Sequence, residues 1–407
     1  MGFRRGLTGN NGHCRKFDAG AMCPSYRVTR DEQHLVRGRA NTLRLALTRQ
    51  LDPDGLASGD VAEALKLCVS CKACRRECPT GVDMAKMKIE ATAARAARHG
   101  LSLRERIVAE LPRYAPFAAT FVGAANLRNK VSWLRRVFDR QLGFAAERNL
   151  PAWRSDPFRD EEALPYAKPW NSVGDVMLFA DTFNRYFEPD NLRAALRVIA
   201  AAGRRPLLPR YDGRPLCCGR TYLATGLVEK ARTEARRTLA TLAGDTLVVG
   251  IEPSCLMTLR DEFVSLLPGS DAKALASRAV TFGEWMAREK ISLDLRSVPT
   301  KAHVHGHCHQ KSFGAFDATL AALRQTPDLV VVPITSSCCG MAGAFGYQSE
   351  TQDVSRAMAE ADLMPAVRKA KAEELIVADG TSCRHQIADL SGRAAVHSVC
   401  VLADALP

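Results

Sequence analysis

Residues 68–79 read Cys68-Val69-Ser70-Cys71-Lys72-Ala73-Cys74-Arg75-Arg76-Glu77-Cys78-Pro79, a C-x2-C-x2-C-x3-C-P spacing. At this pitch three thiolates can hold one 4Fe–4S cubane, and the fourth, ahead of the proline, points at a different cluster. Cys68, Cys71 and Cys74 are the expected three. The remaining ligand should be a distant Cys-Pro, and Cys23-Pro24 fits, because proline fixes φ, lacks an N–H and turns the chain away from the sulfur. The alternative for Cys23 is a plain buried thiol. Cys78 faces a second site in which Cys14 stands alone, since Thr8 and Asn11 occupy the places where a complete run wants cysteines. Two thiolates are a poor cage for a cubane, so one cluster is expected and the second is expected to be missing or reduced in form. Lys72, Arg75 and Arg76 either raise the potential of that cluster or form a solvated basic face.

A second set of cysteines is duplicated. Cys217-Cys218-Gly219 recurs as Cys338-Cys339-Gly340, 338 − 217 = 121 residues on, and Pro253-Ser254-Cys255 recurs as Thr381-Ser382-Cys383, 383 − 255 = 128 residues on. Similar offsets mean two copies of one module. Adjacent thiols can face one metal group because the next glycine tolerates unusual φ. In the second copy Cys308, Cys338, Cys339 and Cys383 come from separate strand ends and suit an iron–sulfur cluster or zinc, with a structural thiol cluster as the alternative. His305, His307, His309 and His385 surround them; hydrogen bonding to the ligands is the expected role, with metal ligation by one of them as the alternative. In the first copy Cys217, Cys218 and Cys255 lack a fourth partner, because Thr182 stands near the counterpart of Cys308, at 308 − 126. That copy is expected to be empty, or three-coordinate with an open position.

These residues need a scaffold of changing texture. Leu43, Leu45, Leu47 and Leu51, then Val61, Leu65 and Leu67, mark helices over 31–50 and 59–68. An alanine-rich stretch over 83–98 and a further helical run over 102–142, broken near Pro112 and Pro116, complete an all-α head over 1–142. Residues 143–172, with Pro151, Pro157, Pro165 and Pro169, read as a linker. Beyond it, apolar runs at 176–180, 206–208, 246–251, 302–305, 329–334 and 375–378 alternate with helical stretches. That is βαβ texture, hence α/β with parallel sheets, in one module over 173–297 and another over 298–407. The patch Ala115–Ala125, with Phe117 and Phe121, suits an interior helix, or else a membrane interface or quinone-site wall.

Composition narrows the partners. The chain has 407 residues, 46% hydrophobic and 25% charged, and its 14 cysteines are clustered as metal ligands would be in a reducing cytoplasm. A net charge of +13 suits an acidic partner or an anionic membrane surface. Aromatics are only 6%, with no aromatic-studded basic face, so nucleic acid is not expected. Arg4-Arg5 is followed by Gly-Leu-Thr-Gly rather than an apolar stretch, so no signal peptide is expected. No window is apolar enough to span a bilayer. A cytoplasmic location is expected, with any membrane contact peripheral on the inner face of the plasma membrane.

The order C-P, C-x2-C-x2-C-x3-C-P and two CCG modules resembles the iron–sulfur part of FAD-linked 2-hydroxyacid dehydrogenases, a group that includes glycolate oxidase, anaerobic glycerol-3-phosphate dehydrogenase and fused D-lactate or D-2-hydroxyglutarate dehydrogenases. The fused type matches best, through Met22-Cys23-Pro24-Ser25-Tyr26, Arg30-Asp31-Glu32-Gln33-His34 and Arg37-Gly38-Arg39-Ala40. The resemblance implies a ferredoxin-like helical head and two modules like the CCG modules of heterodisulfide reductase. It implies a 4Fe–4S cluster on Cys23, Cys68, Cys71 and Cys74, with Cys14 and Cys78 at the other site, and a second ligand set of Cys308, Cys338, Cys339 and Cys383. It further implies a relay. A flavin domain oxidises a 2-hydroxyacid by hydride transfer, and the iron–sulfur part delivers the electrons singly to a quinone or cytochrome. No G-x-G-x-x-G follows a strand here, so FAD is expected on a separate chain or on the other part of a fusion, and this chain is not expected to oxidise substrate alone. Two other readings stand beside the relay. One is a thiol–disulfide enzyme like heterodisulfide reductase, although Cys255 and Cys383 lack the C-x2-C ending. The other is a zinc-bound scaffold.

Overall fold

The computed structural model describes residues 12–15, 20–166 and 174–407, so Arg4, Arg5, Thr8 and Asn11 lie outside the described residues. Up to Leu142 the described residues form helices and no strand. Local signals start these helices. Ser58 accepts from the Val61 N–H to open Gly59–Lys66, and Asp83 accepts from the Lys86 N–H to open Met84–His99. Together with Val36–Leu47 they close around Leu35, Leu43, Val61, Leu65 and Met84, none more than 4% exposed. Cys23, Cys68, Cys71 and Cys74 belong to the same core.

Helices beyond Gly100 pack elsewhere. Ala109 enters the core of the first α/β module, while Val108, Phe138 and Leu142 rest on the second. Pro116 does not break its helix, as its position suggested; it sits inside Leu111–Ala118, which is pinned by Ala115 and Ala119 against Tyr186 and Phe187. The same helix is only half interior. Phe117 and Phe121 are 68% and 56% exposed, with ring centroids 4.9 Å apart.

The segment expected as a linker is an anchored strap as far as Tyr166. Arg148, fully buried, donates to Gly346 O at 2.9 Å and pairs with Asp389 at 2.6 Å in the second module. Phe158 plugs the first module's core, where Arg185 and Arg193 pair with Asp160 and Glu162. Its prolines forbid regular structure, but its side chains are fixed.

All six apolar runs are strands: β1 (Asp175–Phe179), β2 (Arg205–Leu207), β3 (Val248–Gly250), β5 (Lys301–His305), β6 (Val330–Pro333) and β7 (Leu375–Ala378). A further strand, β4 (Ala279–Thr281), was too short for its periodicity to show. Every pairing between strands is parallel, in orders β2-β1-β3-β4 and β6-β5-β7. Val396 bridges Val377 in parallel beside β7, where β4 lies beside β3, so both modules follow one plan.

Each module's final helix packs on the other module's first long helix. Phe282–Arg288 crosses Phe316–Leu323, and Ser398–Asp404 lies on Pro189–Ala201. The two modules therefore share a core in which Leu178, Val249 and Trp285 of the first meet Val399 and Leu402 on the last helix of the second. Such reciprocal packing buries both helices at once and makes the pair one body. No helix among the described residues is long and apolar enough to cross a membrane.

The crossing of Phe282–Arg288 depends on Gly283, where a Cβ would lie 2.7 Å from the Ala318 and Thr319 backbone. Gly283→Ala should therefore cost about 1–3 kcal/mol through overpacking, read as a lowered midpoint in thermal or denaturant unfolding. An unchanged midpoint would show that the modules separate freely.

Candidate metal centres

Cys23, Cys68, Cys71 and Cys74 line one cavity, walled by Val36, Val69, Met84 and Arg39. All four are buried, at 4%, 9%, 8% and 6% exposure. The chain is bent to bring them there. Cys23, Ser70 and Lys72 take left-handed φ of 52°, 51° and 60°, an unusual choice for residues with a Cβ. Pro24 then starts the helix Pro24–Thr29 at the position where no N–H is needed. Buried Arg39 holds this corner, donating to Ala64 O at 3.0 Å and to Ser25 Oγ at 2.9 Å.

The donor set fits an iron–sulfur cubane. Burial pushes the Cys23 thiol up to about 12, against the pull of the Arg39 guanidinium, and raises Cys71 and Cys74 as well. Thiolates are stable in such a place only when a metal shares their charge. The Met84 N–H points at Cys74 Sγ, 3.4 Å away. Cys14 packs into the same core, near enough to Cys23 to perturb it. Cys78 sits at the edge of that core and is only partly buried, 3.2 Å from Thr80 Oγ1. Burial opposes its ionisation, but hydrogen bonds from Thr80, Val82 and Gly81 leave its thiol below the ordinary value.

In the second module Cys308, Cys338, Cys339 and Cys383 form a continuous chain of thiol contacts. The strands deliver them from their C-terminal ends, where open parallel sheets collect ligands. Cys308 opens the helix after β5, and Cys383 lies in the first turn after β7. Gly340 has φ +83°, and a Cβ there would lie 2.2 Å from Ser355 O, so the CCG turn requires glycine. Lys311 is buried beside these thiols, its Nζ donating at 2.6 Å to Ser336 O and Ser337 O. His305 has one ligand atom within 4.8 Å of Cys339 and Cys383.

The first module keeps half of this arrangement. Cys217, Cys218 and Cys255 contact one another, and Gly219 takes φ +75°. Thr182 begins the helix after β1 as Cys308 begins the helix after β5, capped by Asp181 where the other is capped by His307. Burial and neighbouring Glu252 raise the Asp181 carboxyl to about 7.

The cavity and the second module touch. Cys308 and Cys338 lie close enough to Cys71 to raise its thiol, and all three share one apolar core with Cys68 and Cys74. Helix Cys308–Phe313 clasps the cysteine loop, as His309 Nε2 meets Ser70 O at 3.0 Å and Ser312 Oγ donates to Cys71 O at 2.8 Å. From the other side, fully buried Lys72 pairs with Asp261 at 2.5 Å and Glu262 at 2.7 Å, on a π-helical turn just past Cys255. Arg75 and Lys86 join Asp261 at 2.6 Å and 2.9 Å, and Arg76 donates to Lys311 O. Of the charges beside the cysteines, Lys72 is buried against carboxylates of the first module, while Arg75, which also meets Asp261, and Arg76 remain exposed. The spacing of Asp261 and Glu262 carried no sign of this role, because their partner is 189 residues away.

Burial lowers the Lys72 ammonium but the carboxylates more than restore it, while Lys72 and Lys86 hold Asp261 below the usual range. Lys72→Met should destabilise the protein by about 1–3 kcal/mol, because it removes the fully buried cation shared by Asp261 and Glu262 and leaves them only Arg75, Lys86 and Arg220. Denaturant unfolding reads this, and a loss under about 0.5 kcal/mol, the scale of an exposed pair, would contradict it.

Comparison with known proteins agrees with this division. A family model for a 4Fe-4S dicluster domain matches residues 10–82, and one for a Cysteine-rich domain matches residues 182–260 and 302–388. An anaerobic glycerol-3-phosphate dehydrogenase subunit of Escherichia coli (strain K12) is 28% identical over 313 residues, covering 75% of this chain and 78% of that protein. The glycolate oxidase iron-sulfur subunit of the same organism is 24% identical, over 95% of this chain and 91% of that protein. Its D-2-hydroxyglutarate dehydrogenase is 23% identical over 96% of this chain, which spans 42% of that protein's length. The chain thus carries a 4Fe-4S dicluster domain followed by two Cysteine-rich domains, and its homologues include a glycerol-3-phosphate dehydrogenase subunit, a D-2-hydroxyglutarate dehydrogenase and a glycolate oxidase iron–sulfur subunit.

Proposed function

We propose that this chain is the electron-transfer part of an FAD-dependent dehydrogenase acting on a 2-hydroxyacid or a related alcohol, and that it passes electrons to a quinone or cytochrome. In this reading Cys23, Cys68, Cys71 and Cys74 hold a 4Fe–4S cluster, and Cys308, Cys338, Cys339 and Cys383 hold a second iron–sulfur centre. Such clusters supply reversible one-electron transfer. The observation that carries the reading is the position of Cys71, which lines the cubane cavity and shares one buried core with Cys308 and Cys338, whose charges raise its thiol. The protein's own work is then to hold two donor sets side by side in a water-poor core. Val36, Val69 and Met84 exclude solvent from the first set. Arg39 and Lys88 stand beside its sulfurs, Lys88 donating to Cys68 O at 2.6 Å, and Lys311 does the same for the second set. Cys217, Cys218 and Cys255 take a scaffolding role.

The relatives' names support the dehydrogenase partner. Membrane-side delivery is supported by exposed Phe117, Phe121, Leu127 and Trp133 on a chain of net charge +13.

Anaerobic iron and sulfide analysis with electron paramagnetic resonance tests the cluster assignment. Cys71→Ser should remove about four irons per chain, the content of one cubane, because a hydroxyl is a hard, weak ligand, while Cys78→Ser should keep them. Equal iron in wild type and Cys71→Ser would contradict it. Phe117→Ser with Phe121→Ser should weaken co-sedimentation with anionic vesicles at least about tenfold, since two buried rings contribute more than 1.4 kcal/mol. Undiminished sedimentation would remove this patch from the membrane reading.

A further inference from the structure

His305 ends β5 beside the second thiol set and is 1% exposed. Its Nδ1 lies 2.8 Å from Ser336 Oγ, and Ser336 Oγ directs its own proton to Ile334 O at 3.5 Å. With the hydroxyl proton so directed, a ring protonated at Nδ1 donates to Ser336 Oγ and leaves the lone pair on Nε2. That Nε2 is buried and has no hydrogen-bond partner. A buried acceptor without a donor is costly unless something binds it. One ligand atom of His305 and the sulfurs of Cys339 and Cys383 lie within 4.8 Å of one another. An imidazole held at one nitrogen, with the other buried and unpartnered and the ring beside two thiols, has the posture of a metal ligand.

The first module supplies an internal comparison. Phe179 ends β1 where His305 ends β5, and Thr182 stands for Cys308, both at 305 − 179 = 308 − 182 = 126. Pro215 stands for Ser336 at 336 − 215 = 121, the same spacing as the two CCG turns. The copy that lacks the fourth thiol thus also lacks the imidazole and the hydroxyl that orients it. A histidine kept only to fill the core would be independent of Cys308.

We propose that His305 Nε2 is a ligand of the metal centre in the second module, beside Cys339 and Cys383, which makes that centre a mixed nitrogen–sulfur site. The inference rests on the reading that this module holds iron. A neutral imidazole in place of a thiolate removes one negative charge from the ligand shell, which raises the reduction potential.

Pulsed electron paramagnetic resonance on the reduced, anaerobically reconstituted full chain tests it, with histidine labelled by nitrogen-15. The expected result is a nitrogen coupling that follows the isotope and disappears in His305→Ala, with the signal of the first cluster retained. If the second centre's signal is present, is removed by Cys339→Ser, and shows no nitrogen coupling, the ligand role of His305 is overturned while the second centre stands. If Cys339→Ser changes neither signal nor iron content, or if the metal there is zinc, the reading of an iron centre in this module is itself overturned.

Discussion

A thiolate in a dry core is stable only if positive charge meets it, and this constraint organises the molecule. Cys23, Cys68, Cys71, Cys74, Cys308 and Cys338 share a single apolar cluster with Leu43, Val61 and Met84. Burial drives the Cys23 thiol up to about 12, and the neighbouring Cys339 thiol together with burial drives Cys338 to about 12, far from ionisation at neutral pH. A shared metal group would make these buried thiols stable as thiolates. Of the basic side chains in this region, Arg39, Lys88 and Lys311 sit where they offset sulfur charge, while fully buried Lys72 meets carboxylates.

The duplicated module explains how such a core is held together. The second copy brings thiols to the cysteine loop and grips it through His309 and Ser312. The first copy grips it by electrostatics, presenting Asp261 and Glu262 to Lys72. The left-handed residues Ser70 and Lys72 lie between these two grips, so the strain in the loop is balanced by contacts on both sides. Reciprocal packing of the final helices then fixes the two copies relative to each other. Geometry at the sulfurs is thus set by contacts that span most of the chain.

What could be read from the sequence was whatever is local. The cysteine pitch, the Cys-Pro turn, the repeated CCG turns and six of the seven strands each depend on neighbours a few residues apart. Long-range pairings left no such trace. Lys72 looked like part of a basic surface, because its carboxylate partners lie far away in sequence and no periodicity marks them. The strap around Arg148 and Phe158 looked like a linker, since prolines report the lack of regular backbone but not the burial of side chains. His305 was expected to support ligands. Its place within 4.8 Å of two thiols, together with a buried unpartnered Nε2, distinguishes it from its neighbours His307 and His309, and sequence spacing does not reveal that. β4 is three residues long, below the length at which an apolar pattern can be told from chance.

The central claim is that two redox centres lie against each other through Cys71, Cys308 and Cys338. Continuous-wave electron paramagnetic resonance of the full chain, recorded during stepwise reduction, tests it most directly. The account predicts that the signal of the centre reduced first broadens or splits as the second becomes paramagnetic, because adjacent spins couple magnetically. Two signals that accumulate without disturbing each other, or a single signal throughout, would contradict it.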